Sequence, residues 1–131
     1  MPFTEALHFP FAPAPAWMRL LRLPRRGDGV HVDDVLLDVV FGPWRVTTPL
    51  HNIASADVTG PYRAWKVLGA RLSLADRGLT FGTDTRSGAC LTFHEPVPGI
   101  EPTGLLRHPS LTVTVEQPHL LVRRLRQVID A

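Results

Sequence analysis

The sequence predicts a mainly-β domain of the α+β class, in which six or seven short antiparallel strands surround one core and a C-terminal amphipathic helix closes it. Three observations lead to this class. Apolar and polar side chains alternate along several short runs, glycine and proline interrupt those runs, and a long helical period is confined to the last segment. Because most runs have one apolar face, we expect the bent sheet to expose its other face to water.

The length of 131 residues fits a single domain over residues 1–131. We divide it into an N-terminal strand and short helix at 1–28 and a sheet with its C-terminal helix at 29–131. The net charge of +2 is small, which argues against nucleic-acid binding. Cys90 is the only cysteine, so an intrachain disulfide is excluded and a cytoplasmic location is expected.

The N-terminal region predicts a strand within residues 3–11 and a short helix that ends at Pro24. Trp17, Leu20 and Leu21 lie at helical spacing on one face, and arginines occupy the other. We expect this helix to dock onto the sheet. Contact with an anionic membrane surface is the less favoured alternative.

Period-two alternation begins near residue 30 and predicts a hairpin over residues 35–48 that turns at Gly42-Pro43. A third strand is expected at residues 53–58, a second hairpin at 72–83 with Gly78 in the left-handed position, and further strands at 89–93 and 111–115. The C-terminal helix follows Pro118. Its predicted apolar face consists of Leu121, Val122, Leu125, Val128 and Ile129.

The order of these elements from about residue 32 to 129 resembles a bacterial pleckstrin-homology-like (PH-like) domain, a bent antiparallel barrel capped by one C-terminal helix. The segments that carry the resemblance are the first hairpin, TPLHNIASADV and LTVTVEQPHLLVRRL. The strings FGPWRVTTPLHNI, VTGPYRAWK and LADRGLTF are also similar to a family of small uncharacterised actinobacterial proteins. A helix-grip ligand-binding fold is the alternative architecture.

The resemblance implies a binding role. Phosphoinositide-binding members of the PH-like fold carry several basic residues around the first hairpin loop, whereas here only Arg45 lies near Gly42-Pro43. Other members bind peptides or proteins, and we expect this chain to belong with them. A fold alone does not determine the function, so the site residues have to be argued individually.

The sequence contains no motif for catalysis or metal binding. The serines lack a Gly-x-Ser-x-Gly elbow, and no histidine is spaced for metal binding with another ligand, so no metal and no cofactor is expected. We expect surface or capping histidines and no enzymatic activity. The histidines are His8, His31, His51, His94, His108 and His119.

A loop between the third and fourth predicted strands is the strongest binding candidate. Tyrosine, tryptophan and arginine are enriched at protein-binding hot spots, and aromatic residues in a loop are less easily explained by packing. The alternative is that Trp65 packs back onto the sheet. The predicted partner-binding residues are Tyr62, Arg63, Trp65 and Lys66 in the loop, with Trp44 and Arg45 at the hairpin tip.

The sequence therefore favours a non-enzymatic binding or adaptor module that acts through a protein partner of unknown identity. The alternative is a carrier of a small molecule or lipid held inside the barrel beneath the C-terminal helix. A weaker alternative is an enzyme that uses His51, Asp57 or His94.

Overall fold

A computed structural model describes residues 7–62, 68–73, 76–101 and 103–130. It confirms a mainly-β fold with a C-terminal helix. Neither helix in the described ranges is long and apolar enough to cross a membrane. The elements are β1 (Leu7–Pro10), α1 (Ala16–Leu20), β2 (Gly29–Val32), β3 (Leu36–Phe41), β4 (Trp44–Pro49), a 3-10 turn (Leu50–Asn52), β5 (Ile53–Thr59), β6 (Gly69–Leu72), β7 (Leu79–Gly82), β8 (Gly88–Pro98), β9 (Arg107–Val113) and α2 (Pro118–Ile129).

The described strands form two sheets. One has the order β1-β2-β3-β4 and is antiparallel throughout. The other has the order β5-β8-β9-β7-β6, and its β7–β9 pair is parallel. The sequence predicts six or seven antiparallel strands, whereas the described residues contain nine and one parallel pair. Alternation reveals the faces of a strand but not its neighbours, so the parallel pair gives no sequence signal.

The two sheets are connected at two places. The 3-10 turn leads directly from β4 to β5. At another edge, Phe11 and Val115 form an isolated bridge, and the backbone N–H of Ala12 donates to the carbonyl of Thr114 at 2.9 Å. Among the strands described, this hydrogen bonding does not close the sheets into a barrel.

The core lies between the sheets and is centred on stacked aromatic rings. Phe41 of β3 stacks on Phe81 of β7 with ring centroids 5.1 Å apart, and Phe11 packs edge-on against Phe41 at 4.9 Å. Both phenylalanines of the stack are fully buried. One aromatic contact therefore joins the four-stranded sheet to the five-stranded sheet.

The predicted apolar face of the C-terminal helix is confirmed. Leu121, Val122 and Leu125 are buried, and Val128 and Ile129 pack against the core from its margin. The helix lies mainly across β5. Arg126 of α2 also donates hydrogen bonds to the carbonyl of Ala56 and the carboxylate of Asp57 in β5. The helix therefore covers one edge of the core.

The β6–β7 hairpin corrects one expectation. The left-handed residue is Arg77, with φ of 63°, and not Gly78. Glycine is needed at position 78 because a Cβ there would lie only 2.7 Å from Oγ of Ser110. The turn needs space at position 78 for the approach of β9, and the left-handed residue is the arginine before it.

The short helix α1 also differs from the prediction. Met18 is its fully buried residue, while Trp17, Leu20 and Leu21 are exposed. The three side chains at helical spacing therefore face away from the sheet that they were expected to contact. In a helix of a single turn, only one side chain can point fully toward the core, and here that side chain is Met18.

Candidate functional site

An open groove of about 630 Å³ lies beside the tip of the β3–β4 hairpin. Pro43, Trp44, Arg45 and Thr47 line one wall, and residues 98–101, 103 and 104 line the other. We call this the Trp44 groove. It contains both hairpin residues that the sequence predicts to bind a partner, Trp44 and Arg45.

Trp44 is fixed in the wall of this groove by the hairpin. It pairs with Phe41 across the turn, and the two rings lie nearly parallel with centroids 6.4 Å apart. Gly42 has φ of 58°, a left-handed conformation that suits glycine in a two-residue turn. The indole is half-buried. Trp44 is thus packed on the core from one side and open to the groove from the other.

Arg45 is positioned by a carboxylate on the neighbouring strand. Its Nε and Nη2 donate to the two carboxylate oxygens of Asp38, each at 2.8 Å, and Thr47 Oγ1 donates to the same carboxylate at 2.8 Å. The hydrogen bond from Arg45 lowers the pKa of Asp38, and the same contact raises the pKa of Arg45. The Arg45 side chain remains 67% exposed. Arg45 is therefore oriented and still reachable from solvent.

The opposite wall is held together by Glu101. Its carboxylate accepts hydrogen bonds from the backbone N–H groups of Thr103 at 2.6 Å, Leu105 at 3.0 Å and Leu106 at 3.2 Å, and from the Thr103 hydroxyl. These bonds, the hydroxyl bond first, lower the pKa of Glu101. A loop tied by one carboxylate in this way is formed before any ligand arrives.

His108 supports the same wall from inside. Its side chain is 1% exposed, with Nδ1 at 2.9 Å from the carbonyl of Arg77 and Nε2 accepting the N–H of Ile100 at 3.3 Å. These partners require a neutral ring with its proton on Nδ1. The sequence predicts a surface or capping histidine here, and that is wrong. Alternation counted from Leu111 puts position 108 outward, but the register of β8 against β9 shifts between Thr92 and Val97.

The predicted loop site is described only in part. Arg63, Trp65 and Lys66 lie outside the described residues. Tyr62 is half-buried; its hydroxyl bonds the hydroxyl of Thr59, and burial raises its pKa. Its backbone N–H donates to the carbonyl of Thr85 at 2.7 Å. Tyr62 does not line the Trp44 groove.

The residues considered for catalysis or metal binding do not form a cluster. Asp57 accepts a hydrogen bond from Arg126 Nη2 at 2.7 Å, and His51 and His94 are exposed. Within the described part of the chain, no group of three or more His, Cys, Asp or Glu residues is placed to hold a metal ion.

A second groove, of about 780 Å³, lies on the other side of Trp44 and is lined by residues 21–26. Asp28 organises this region. Its Oδ2 accepts the backbone N–H of Arg25 at 2.7 Å and that of Gly42 at 2.6 Å, and the residue is 8% exposed. The sequence gives no sign of this role, because an aspartate between glycines is typical of an ordinary turn.

Comparison with known proteins adds no relative. No family model matches the chain, and neither a curated protein nor a solved structure matches it significantly. The function has to be argued from the geometry of this chain.

Proposed function

We propose that the chain is a non-enzymatic binding or adaptor module that acts through a protein partner in the cytoplasm. The observation that carries the proposal is the Trp44 groove, which combines a partly buried tryptophan with an oriented, exposed arginine. Tryptophan and arginine dominate the binding energy of many protein interfaces. A groove already formed in the free protein also avoids the entropy of ordering a loop on binding.

The shape and chemistry of the groove favour a short segment of a partner. Its volume of about 630 Å³ admits one or two side chains, and its apolar lining includes Pro43, Trp44 and Ile100. Arg45 uses Nε and Nη2 on Asp38, and its Nη1 makes no hydrogen bond within the described residues. We therefore expect an apolar side chain of the partner against Trp44 and a partner carbonyl or carboxylate on Arg45 Nη1.

The test begins with a photo-crosslinking residue at the exposed groove position 47, which leaves Arg45 in place, and, as a control, at the exposed position 120. The protein captured at position 47 is identified, purified and titrated against the wild type, Arg45→Ala and Arg86→Ala. Arg86 is a matched control because it also bonds an aspartate, Asp84, through Nε and Nη2 and is exposed. We expect Arg45→Ala to weaken binding at least about tenfold, as hot-spot truncation does, and Arg86→Ala to leave it unchanged.

Equal binding by both variants, or equal capture at positions 47 and 120, would contradict the Trp44 groove as the partner site. Thermal unfolding of the two variants separates a folding defect from lost contact. Removing an exposed ion pair costs about 1 kcal/mol or less, so both should unfold close to the wild type.

We further propose that the two sheets and α2 are a PH-like arrangement. The packing of α2 across β5 and the Phe11–Val115 bridge between the sheets support this fold. Full barrel closure would require backbone contacts between the outer strands of the two sheets. Amide-to-amide nuclear Overhauser effects between those strands are the measurement, and their absence would favour an open pair of sheets.

The carrier alternative remains a prediction with less support. A ligand beneath the C-terminal helix would replace the packing of Leu121 and Leu125, which are 0% and 1% exposed. The groove that borders α2, about 490 Å³, lies at the surface beside Val58 and Arg126 and not in the core. Native mass spectrometry of gently purified protein would reveal a bound small molecule if the carrier alternative holds.

A further inference from the structure

The helix α1 carries an exposed apolar face. Leu20 is 84% exposed, Leu21 65% and Trp17 49%. Positions 17, 20 and 21 share one side of a helix, so the three side chains form a contiguous projection. Trp17 and Leu20 line neither of the grooves beside Trp44, whereas Leu21 lines the second one. An isolated exposed leucine is ordinary, but three large apolar side chains on one helical turn mark an interaction site.

This projection is held in place from below. Met18 is fully buried, and Leu23 packs against the core from the other end of the segment. The N–H of Leu23 donates to the carbonyl of Met18, and the N–H of Arg22 donates to that of Arg19, both at 3.0 Å. This pair of bonds is a Schellman C-cap. The cap and the buried methionine fix the direction in which the apolar side chains point.

Positive charge lies beside the projection, because Arg22, Arg25 and Arg26 line the same groove as Leu21. Arg19, Arg22, Arg25 and Arg26 are exposed, and residues 16–27 contain no acidic side chain. Asp28 follows, but its carboxylate is turned inward onto backbone N–H groups. Within the part of the chain that the structure describes, no carboxylate lies within salt-bridge distance of these four arginines. The surface therefore attracts anions without internal neutralisation.

Arg22 occupies the left-handed position of the C-cap, with φ of 59°, where glycine is the usual residue. Arg77 in the β6–β7 turn has the same backbone conformation outside this surface, so it serves as the control for substitutions at position 22.

We propose that the surface of residues 17–26 binds an anionic membrane surface, with Trp17, Leu20 and Leu21 at the level of the lipid headgroups and Arg22, Arg25 and Arg26 on the anionic groups. Exposed apolar side chains on a helix enter a bilayer interface readily, whereas a protein partner would need a matching cavity. Apolar insertion and basic charge together supply the two signals that stable attachment requires. None of residues 17–26 lines the Trp44 groove, although Pro43 and Trp44 line both that groove and the second one. The proposal goes beyond the adaptor function and can fail without it.

The first test is co-sedimentation of the purified protein with phosphatidylcholine vesicles that contain about 30% phosphatidylserine, at about 0.1 M NaCl. We expect the wild type to bind these vesicles and not vesicles of phosphatidylcholine alone. Leu20→Glu places a charge at the most exposed apolar position and should weaken binding at least about tenfold. Because Leu20 is solvated in the free protein, this variant should fold normally.

Two matched comparisons test the charge. The triple variant R22Q/R25Q/R26Q and the control R77Q/R107Q/R123Q change the net charge equally, and all six arginines are exposed. Each basic residue at an anionic surface contributes about fivefold, so the first should lose about a hundredfold in affinity and the second little. Arg22→Gly and Arg77→Gly each replace a left-handed arginine, and vesicle binding should fall about fivefold in the first alone.

Absence of binding to the phosphatidylserine vesicles, or equal losses in the two triple variants, would overturn the proposal. Tight binding of a poly-glutamate peptide without vesicle binding would also overturn it, since that result assigns the surface to an acidic protein. Retention of vesicle binding by Arg45→Ala, together with loss of its protein partner, would separate the two sites.

Discussion

The carboxylate of Asp28 accepts the backbone N–H of Gly42 at 2.6 Å, although 14 residues separate them along the chain. The same oxygen accepts the N–H of Arg25 at 2.7 Å. One buried side chain thus attaches the arginine-rich loop after α1 to the turn that positions Trp44. The two proposed binding surfaces share this attachment.

Removal of this carboxylate should destabilise the protein. Asp28→Ala leaves two N–H groups without partners, and we expect a loss of about 3 kcal/mol in the free energy of unfolding, measured by urea denaturation. Asp34→Ala is the control, because Asp34 is exposed and its nearest partner, Arg124, is 3.7 Å away. Equal stabilities of the two variants would show that the Asp28 hydrogen bonds contribute little.

His108 gives a second prediction about stability. His108→Leu keeps the volume but removes the partner of the carbonyl of Arg77 and of the N–H of Ile100, two partly buried backbone groups. We expect the free energy of unfolding to fall by about 2 kcal/mol. His94→Leu, at an exposed position, should change it by less than about 0.5 kcal/mol. A neutral outcome at position 108 would mean that water replaces the ring.

The Asp38–Arg45 pair predicts a pH dependence with a definite sign. Because the pKa of Asp38 is lowered below 3.8 in the folded state, its ionised form stabilises the fold above that pH, and the contribution disappears as the pH falls through the lowered pKa. The wild type should therefore exceed Asp38→Asn in unfolding free energy by at most about 1 kcal/mol near neutral pH, and the difference should vanish in acid.

The measurement is chemical denaturation of the wild type, Asp38→Asn, Arg45→Gln and the double variant at several pH values. The coupling between the two positions should be present near neutral pH and absent in strong acid. A coupling that increases as the pH falls would contradict the ion-pair explanation.

Substitutions on α2 should separate its two faces. Leu125→Ala removes a side chain that is 1% exposed, and we expect a loss of about 2–5 kcal/mol. Leu120→Ala removes the same atoms from a side chain that is 43% exposed, so its effect should stay below about 1 kcal/mol. Thermal unfolding of the two variants checks this. Similar losses would mean that α2 is packed differently.

The β6–β7 turn predicts opposite effects at adjacent positions. Arg77→Gly relieves a left-handed arginine and should stabilise the fold by up to about 1 kcal/mol. Gly78→Ala should destabilise it by about 1–3 kcal/mol, because the new Cβ would lie 2.7 Å from Ser110 Oγ. Denaturation midpoints that shift in the same direction for both would contradict this description of the turn.

The sequence predicts what depends on local pattern. Periodicity and turn residues predict the buried face of α2 and the hairpin at Gly42-Pro43. They also predict that Trp44 and Arg45 lie at the tip of this hairpin. The contacts that build the Trp44 groove do not. Asp28, Glu101 and His108 act on backbone groups that the fold brings close, and no spacing rule marks a residue for that use.

The exposed face of α1 was mispredicted for a related reason. A pattern of Trp17, Leu20 and Leu21 identifies the apolar side of a helix but does not tell whether that side meets the sheet. Met18 decides the orientation, and its burial depends on distant strands. Sequence periodicity therefore identifies the apolar surface of α1 correctly but predicts a contact with the sheet that does not form.

Synthesis on the ribosome delivers β9 last among the described strands, yet β9 lies at the centre of the five-stranded sheet between β8 and β7. The bridge between Phe11 and Val115 likewise cannot form until Val115 has been synthesised. The earlier hairpins can pair locally, but their apolar faces stay uncovered until this late strand leaves the exit tunnel. Such a nascent chain remains open to chaperones and to aggregation for most of its translation, and its core closes in one late step.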